Sequence, residues 1–212
     1  TSSEYMDGTL ADAWLYGDFH IPSVAEDYFQ GVSTIQTELF FVNPNPVSVT
    51  LQLRLRDAAG TVVGSLDQAI APGAMLSGTI RDLFFRDSTV VDIASGYLTG
   101  SSTTLFGVAG FAMTRYFDPT GAVKTIRSLP LVFPEGVSML YCPHIASGGE
   151  APGFAVPYDT VFHLVNTNVE AAHVTLTLYN DAGEVVQTAS ADIASRAQFT
   201  AHVWELFGLG DP

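Results

Sequence analysis

Two stretches of the chain alternate apolar and polar residues. In both, every second residue is apolar: Val49, Leu51, Leu53 and Leu55 in the first, and Ala172, Val174, Leu176 and Leu178 in the second. A period of two is the pattern of a β-strand with one buried face. Each stretch leads into a turn, RDAAG (56–60) or NDAGE (180–184), with a glycine where a left-handed residue is needed. The pattern predicts two antiparallel hairpins.

The two hairpins belong to a longer internal repeat. Residues 37–84 align without a gap on residues 160–207 at a constant offset of 123, and 15 of the 48 pairs are identical. Chance would give roughly three identities in a composition this skewed. Upstream, LYGDFHI (15–21) and LYCPHI (140–145) continue the match after a shift of one residue. The sequence therefore predicts two copies of one module.

Shorter segments complete the predicted elements. In each copy a second alternating stretch leads into a short helical plug, RDLFF (81–85) or WELFG (204–208). The first copy continues with further strands and turns: a strand at Gly96–Thr99, a polar turn at Gly100–Thr104, strands within 105–113 and 122–133, and a linker at Pro134–Gly136. Short strands separated by Gly, Pro and Asn are typical of immunoglobulin-like β-sandwiches.

We therefore predict an all-β fold with two tandem immunoglobulin-like β-sandwich modules. Residues 18–136 form the first module and residues 137–212 the second, and residues 1–17 form an N-terminal segment. In the first copy 49 residues follow Phe84 before the linker and hold the last three strands, whereas five residues follow Phe207 in the second. The second module is therefore predicted to lack its closing strands.

An incomplete sandwich exposes a core face and a strand edge, which proteins normally cover. Three explanations stay open: the natural chain continues past Pro212, the missing strands come from another copy by strand addition, or the second module is a smaller sandwich. Under strand addition the N-terminal segment is the candidate donor. Its predicted inserted side chains are Leu10, Ala13, Leu15 and Tyr16.

Charge and composition narrow the partners. The chain has 8 Lys and Arg against 22 Asp and Glu, a formal net charge of -14. Phosphate backbones and anionic lipids would repel it, so we expect no nucleic-acid partner. No apolar run approaches the roughly 18 residues that span a bilayer, so we expect no membrane insertion. A single cysteine, Cys142, excludes an intramolecular disulfide, and the start at Thr1 without a signal pattern favours a processed, exported chain.

Residues capable of catalysis or metal binding do not form a known motif. The five histidines lack the spacing of a zinc motif, and the acidic residues lack the pattern of a calcium loop. No nucleophile elbow or phosphate-binding glycine loop is present. His20 and His144 occupy equivalent positions, which favours a shared structural hydrogen bond, and Asn43 and Asn166 are interpreted as turn-forming residues. We predict no catalytic, cofactor-binding or metal-binding residues, and no cofactor.

Three segments carry a resemblance to a known family: LYCPHIASGGE (140–150), VFHLVNTNVEAAHVTLTLYNDAGEVV (161–186) and SGYLTGSSTTLFGVAGFAM (95–113). With IAPGAML and RDLF of the first copy, they resemble the tandem immunoglobulin-like β-sandwich repeats of secreted and surface-exposed bacterial proteins. The resemblance covers nearly the whole chain from about residue 15. It implies export and repetition, and it implies no catalytic residues, because its motifs are structural.

Two functional hypotheses follow. The first is a non-enzymatic structural or adhesive repeat protein, extracellular or at the cell surface. Its partners would be copies of itself, in a longer tandem array or in a fibre or surface layer assembled by strand exchange. The second is a polysaccharide-binding module of a larger exported protein, with Trp14 and Trp204 among the aromatic residues that would stack on sugars. An enzyme ranks third.

Overall fold

The structure is a computed structural model that describes residues 18–102, 107–132, 139–140, 142, 145, 148–150 and 157–209. Within these residues the protein is all-β, with strands joined by short turns and two short helices. The chain divides into two compact units, Thr1–Pro134 (unit 1) and Glu135–Pro212 (unit 2). The predicted N-terminal segment and linker lie outside the described residues.

The described residues of unit 1 form eight strands and one helix. Its elements are β1 (Asp18–Phe29), β2 (Val32–Val42), β3 (Val49–Asp57), β4 (Val62–Ile70), β5 (Met75–Thr79), α1 (Ile80–Phe84), β6 (Val90–Ser102), β7 (Ala109–Phe117) and β8 (Val123–Pro130). All eight strands belong to one antiparallel sheet in the order β4-β3-β6-β1-β2-β7-β8, with β5 paired to β2. β2 pairs with β1 only near its start and with β5 near its end, while β7 takes its other edge. The sheet therefore turns at the β1–β2 hairpin into two four-stranded halves.

Strand β1 contacts both halves of this sheet. Its ladder with β6 shifts register twice between Ile21 and Glu26, and the four consecutive residues Ser23–Glu26 are buried. A strand covered on one face buries alternate residues, so consecutive burial shows that both faces of β1 are covered here. At its other end, the His20 N–H donates to the Val132 carbonyl (2.6 Å), and the Val132 N–H donates back (2.8 Å).

The inner faces of the two halves share one hydrophobic core. The predicted alternation in β3 is confirmed, because its four apolar side chains are fully buried: Val49, Leu51, Leu53 and Leu55. The rings of Phe19 in β1 and Phe41 in β2 meet in this core with their centroids 5.5 Å apart. Burying one such side chain contributes roughly 1.5–3 kcal/mol.

The predicted turn that begins at Gly100 is wrong, because β6 continues to Ser102. Gly100 pairs with Phe19 in the β1 ladder, and a Cβ at this position would overlap the Phe19 ring. Gly100 is therefore required by the packing of an aromatic side chain against the strand, and sequence alone does not distinguish this role from that of a turn glycine.

Unit 2 contains six described strands and one helix. Its elements are β9 (Gly148–Glu150), β10 (Pro157–Tyr158), β11 (Val161–Val165), β12 (Ala172–Tyr179), β13 (Val185–Ile193), β14 (Gln198–His202) and α2 (Val203–Phe207). The strands pair antiparallel as β9–β10, β11–β14 and β12–β13. Helices α1 and α2 confirm the two predicted helical plugs. Both have five residues, and the described part of the chain contains no helix long and apolar enough to cross a membrane.

Candidate functional site

The internal repeat recurs in the structure element by element. At the offset of 123, β4, β5 and α1 have the same bounds as β13, β14 and α2, and β3 begins where β12 begins. The β3–β4 ladder starts at the pair Val49 and Ile70, and the β12–β13 ladder starts at the equivalent pair, Ala172 and Ile193. Both ladders shift register before their last pair. The predicted hairpins are therefore confirmed.

The two hairpin turns have the predicted glycine geometry. The Gly60 N–H donates to the Asp57 carbonyl (3.0 Å), and the Gly183 N–H donates to the Asn180 carbonyl (2.9 Å). Both glycines have a positive φ, 87° and 78°. A side chain would strain this conformation, which explains why glycine recurs at both positions.

A buried asparagine closes each copy of the module. The Asn43 side-chain amide donates to three backbone carbonyls: Val47 (2.8 Å), Ile70 (2.9 Å) and Ala71 (3.2 Å). Asn166 makes the equivalent three contacts at 2.7, 3.1 and 3.0 Å. The predicted turn contact is also present, since each Oδ1 accepts from the N–H two residues later. In unit 1 the side chain also connects the loop after β2 to the end of β4, and in unit 2 it connects the loop after β11 to the end of β13. The sequence did not predict this second contact.

The two copies differ at one edge of the hairpin. In unit 1, β6 pairs with β3 from Leu51 opposite Ser102 to Asp57 opposite Gly96, so both edges of β3 are paired. In unit 2, β12 pairs only with β13 among the described strands. The other edge of β12 therefore presents N–H and C=O groups that have no strand partner in the described part of the chain.

The inner face beside this edge is also less covered than its counterpart. Leu53 and Leu55 of β3 are fully buried, whereas the equivalent Leu176 and Leu178 of β12 are partly exposed. The same holds for β11, whose Phe162 is partly exposed. Side chains at the helix end of unit 2 are buried: Ile193, Val203 and Phe207. Their equivalents in unit 1 are buried at Ile70 and Ile80 and partly buried at Phe84. The open region is therefore confined to the side that β6 and β7 cover in unit 1.

We name the unpaired edge of β12, with the side chains of Val174, Leu176 and Leu178, the open edge. Unpaired backbone groups next to apolar side chains bind an extended strand, since the backbone supplies hydrogen bonds and the side chains supply burial. The predicted donor side chains Leu10, Ala13, Leu15 and Tyr16 lie outside the described residues.

Unit 1 buries an acidic side chain that sequence reasoning did not single out. Glu26 is fully buried where β1 bends, and its Oε2 accepts from the Thr37 N–H (3.0 Å). Its Oε1 has no hydrogen-bond partner among the described residues. Burial raises the pKa of Glu26 to about 7, and the Thr37 hydrogen bond opposes this shift. The sequence signal is an acidic residue within a strand that is otherwise apolar, but the pattern does not show which face it takes.

Each of the three histidines that the structure describes in unit 2 contacts a polar side chain. His173 Nδ1 lies 2.7 Å from Asp192 Oδ1, His163 Nδ1 lies 3.1 Å from Thr200 Oγ1, and His202 contacts Asp159. Within the described ranges, no three His, Cys, Asp or Glu side chains group in a way that could hold a metal ion.

The predicted hydrogen bond of the His20 side chain is not seen at Nδ1. This atom is buried and has no hydrogen-bond partner in the described part of the chain, and burial lowers the pKa of His20. The equivalent residue, His144, lies outside the described residues. The prediction of a shared hydrogen bond therefore has no support from the side chain that the structure describes.

Fold and site together define an all-β protein built on a repeated hairpin module. Neighbouring strands cover one copy, and the other has an edge of β12 without a strand partner among the described residues. Comparison with known proteins identifies no family: no family model matches the chain, and no curated protein matches its sequence. A solved structure of similar fold is the crystal structure of Thermotoga maritima 1070, with a TM-score of 0.43 and 11% sequence identity. The match covers 57% of this chain and 97% of that chain.

Proposed function

We propose that this chain is a non-enzymatic structural or adhesive repeat protein of the cell exterior. Its modules are immunoglobulin-like sandwiches that complete one another by strand exchange, giving a fibre or a surface layer. The observation that supports this proposal is the difference between two equivalent strands. β3 has both edges paired and its apolar side chains fully buried, whereas β12 has an open edge and partly exposed apolar side chains.

Adding a strand to the open edge gains free energy from two sources. Burying the remaining apolar surface of Leu176 and Leu178 contributes about 25 cal/mol for each Å² removed from water. Each new backbone hydrogen bond contributes roughly 0.5–1.5 kcal/mol. An incoming strand therefore gains most when it supplies both a free backbone edge and an apolar face, which describes a strand of the same kind of module.

The charge of the chain makes this assembly dependent on salt. Copies with a net charge of -14 repel one another, and the repulsion is screened within about 10 Å at 0.1 M salt. Assembly should therefore strengthen as salt is added. The acidic composition and the resemblance to exported bacterial repeats support an extracellular location.

The test is sedimentation velocity of the full chain over a range of protein and salt concentrations, with electron microscopy of the largest species. Leu176→Asp places a charge on the inner face of β12, whereas Thr188→Asp places the same charge at an exposed position of β13, one strand away from the open edge. We expect the wild-type chain and Thr188→Asp to associate and Leu176→Asp to remain monomeric, with hydrogen exchange and mass spectrometry confirming that unit 2 is folded. Monomers alone at every concentration would contradict the proposal.

One observation favours the alternative, a polysaccharide-binding module. Trp204 is partly exposed, its ring centroid lies 5.8 Å from that of His202, and His202 contacts Asp159. An aromatic ring beside hydrogen-bonding side chains is suited to stacking on a sugar. Pull-down with cell-wall polysaccharide tests this alternative: wild type would be retained and Trp204→Ala would be lost, while equal recovery of both would reject Trp204 as a sugar contact.

A further inference from the structure

The N-terminal segment repeats the sequence of a strand in unit 1. Residues 10–18, LADAWLYGD, align on residues 93–101 of β6, IASGYLTGS. Ala, Leu and Gly are identical at the second, sixth and eighth positions, Leu replaces Ile at the first, and Trp replaces Tyr at the fifth. Residues 10–17 therefore carry the pattern of the strand that occupies the edge of β3.

In unit 1, this pattern places apolar side chains against the core. Leu98 lies opposite Leu55 in the β3 ladder and is fully buried, and Ile93 is also buried. Leu15 and Leu10 occupy the positions of Leu98 and Ile93 in the alignment. A strand formed by residues 10–17 therefore supplies Leu15 where the open edge has partly exposed leucines. Leu10 lies beyond this ladder, because Ile93 pairs with Glu26 of β1 and not with β3.

We propose that residues 10–17 of a second copy of this chain form a strand whose residues 13–17 pair antiparallel with the open edge of β12, in the register that β6 takes on β3. Adding the offset of 123 to that register places Leu15 opposite Leu178 and Gly17 opposite Leu176. It places Ala13 opposite Asn180. This inference rests on the proposed function, since it names the donor strand for the strand exchange.

The same register predicts one position of poor fit. In β6 the residue equivalent to Ala13 is Gly96, and a Cβ there would overlap the Arg56 carbonyl oxygen. The equivalent of Arg56 in unit 2 is Tyr179. Ala13 therefore holds the donor strand away from Tyr179, and Ala13→Gly should tighten the association, although glycine weakens an isolated strand.

Disulfide trapping tests both the donor and its register. Tyr16 aligns with Thr99 of β6, and Thr99 lies opposite Arg54 of β3. Because Thr177 is the unit 2 equivalent of Arg54, the proposed register places Tyr16 opposite Thr177. In a Cys142→Ser background, Tyr16→Cys and Thr177→Cys chains are mixed and oxidised with oxidised glutathione. The matched control replaces Thr177→Cys with Thr188→Cys, the cross-strand neighbour on β13, one strand further from the donor.

We expect a disulfide-linked dimer from the Tyr16→Cys and Thr177→Cys mixture and at least about tenfold less from the control. Sedimentation should show at least about a threefold lower dissociation constant for Ala13→Gly and about a tenfold higher one for Leu15→Asp, whereas Leu15→Ile stays near wild type.

Each alternative outcome identifies which idea fails. Association without the cross-link rejects this donor strand and leaves strand exchange standing, whereas the absence of any association rejects the proposed function. A cross-link that forms only within one chain, in the Tyr16→Cys and Thr177→Cys double variant, rejects a second copy as the source. Equal association of wild type and Ala13→Gly rejects the register.

Discussion

The buried carboxyl of Glu26 should make unit 1 lose stability as the pH rises. In the folded state its pKa is about 7, while its ordinary value is 4.5. The folded state therefore binds the proton more tightly than the unfolded state, and this contribution to stability is fully present below pH 4.5 and lost as the pH rises through 7. Between pH 5 and pH 8 the loss from this group is about 2.5 kcal/mol, because each pKa unit corresponds to about 1.4 kcal/mol.

Substitution Glu26→Gln removes the charge and keeps the shape. The glutamine Oε1 can accept from the Thr37 N–H as the carboxylate does, but its amide group takes the position of the unpartnered Oε1. An unsatisfied buried amide costs roughly 1–3 kcal/mol, so the variant should be less stable than wild type at pH 5 and close to it at pH 8. The informative quantity is the change with pH, from which this constant cost cancels.

Two measurements test this reasoning. The first is a ¹³C NMR titration of the glutamate side chains, in which the resonance lost in Glu26→Gln should titrate near pH 7. The second is urea unfolding of both chains at pH 5 and pH 8, where wild type should lose about 2.5 kcal/mol more than the variant. A Glu26 resonance that titrates near pH 4.5, or equal losses in the two chains, would show that burial does not raise the pKa of Glu26.

Three further predictions concern local contacts. Asn43→Ala and Asn166→Ala should each destabilise by about 3 kcal/mol, because buried carbonyls lose their donor, and hydrogen exchange with mass spectrometry should show the faster exchange only in the unit that carries the change. Gly100→Ala should destabilise by about 1–3 kcal/mol in urea unfolding, and by clearly less in a Phe19→Leu background, since the added Cβ meets the Phe19 ring. Gly183→Ala should lower the free energy of unfolding by about 1 kcal/mol in the same assay, because the φ of Gly183 is +78°. If the Gly100 and Phe19 substitutions changed stability additively, the contact between these two residues would be contradicted. An unchanged stability of Gly183→Ala would contradict the strain expected at this turn.

Features set by neighbouring residues could be predicted from the sequence. The hairpin turns follow from a glycine at a fixed distance after Asp57 or Asn180, and the buried face of β3 follows from strict alternation. The exact offset of 123 carries these predictions from one copy to the other. Local conformation and a periodic pattern are sufficient here, because each depends on residues that are close along the chain.

Features set by distant residues could not be predicted in this way. Gly100 looks like a turn residue until Phe19 is placed against it, and Glu26 looks like a surface residue until both faces of β1 are covered. Similarly, Asn43 binds the carbonyl of Ile70, which lies 27 residues along the chain. In each case the contact depends on the way strands pair in space, and alternation in a single strand does not contain that information.

Comparison of the two copies separates the contacts that form the hairpin from those that cover it. The turn, the ladder and the asparagine contacts are the same in both units, although β12 lacks the strand that β6 supplies to β3 among the described residues. These contacts therefore do not depend on the covering strand. What differs is the burial of the inner face, which is complete in β3 and partial in β12. The covering strand therefore contributes burial and does not shape the hairpin. Another chain can supply such a strand, because the β12–β13 hairpin already has the conformation that strand pairing requires.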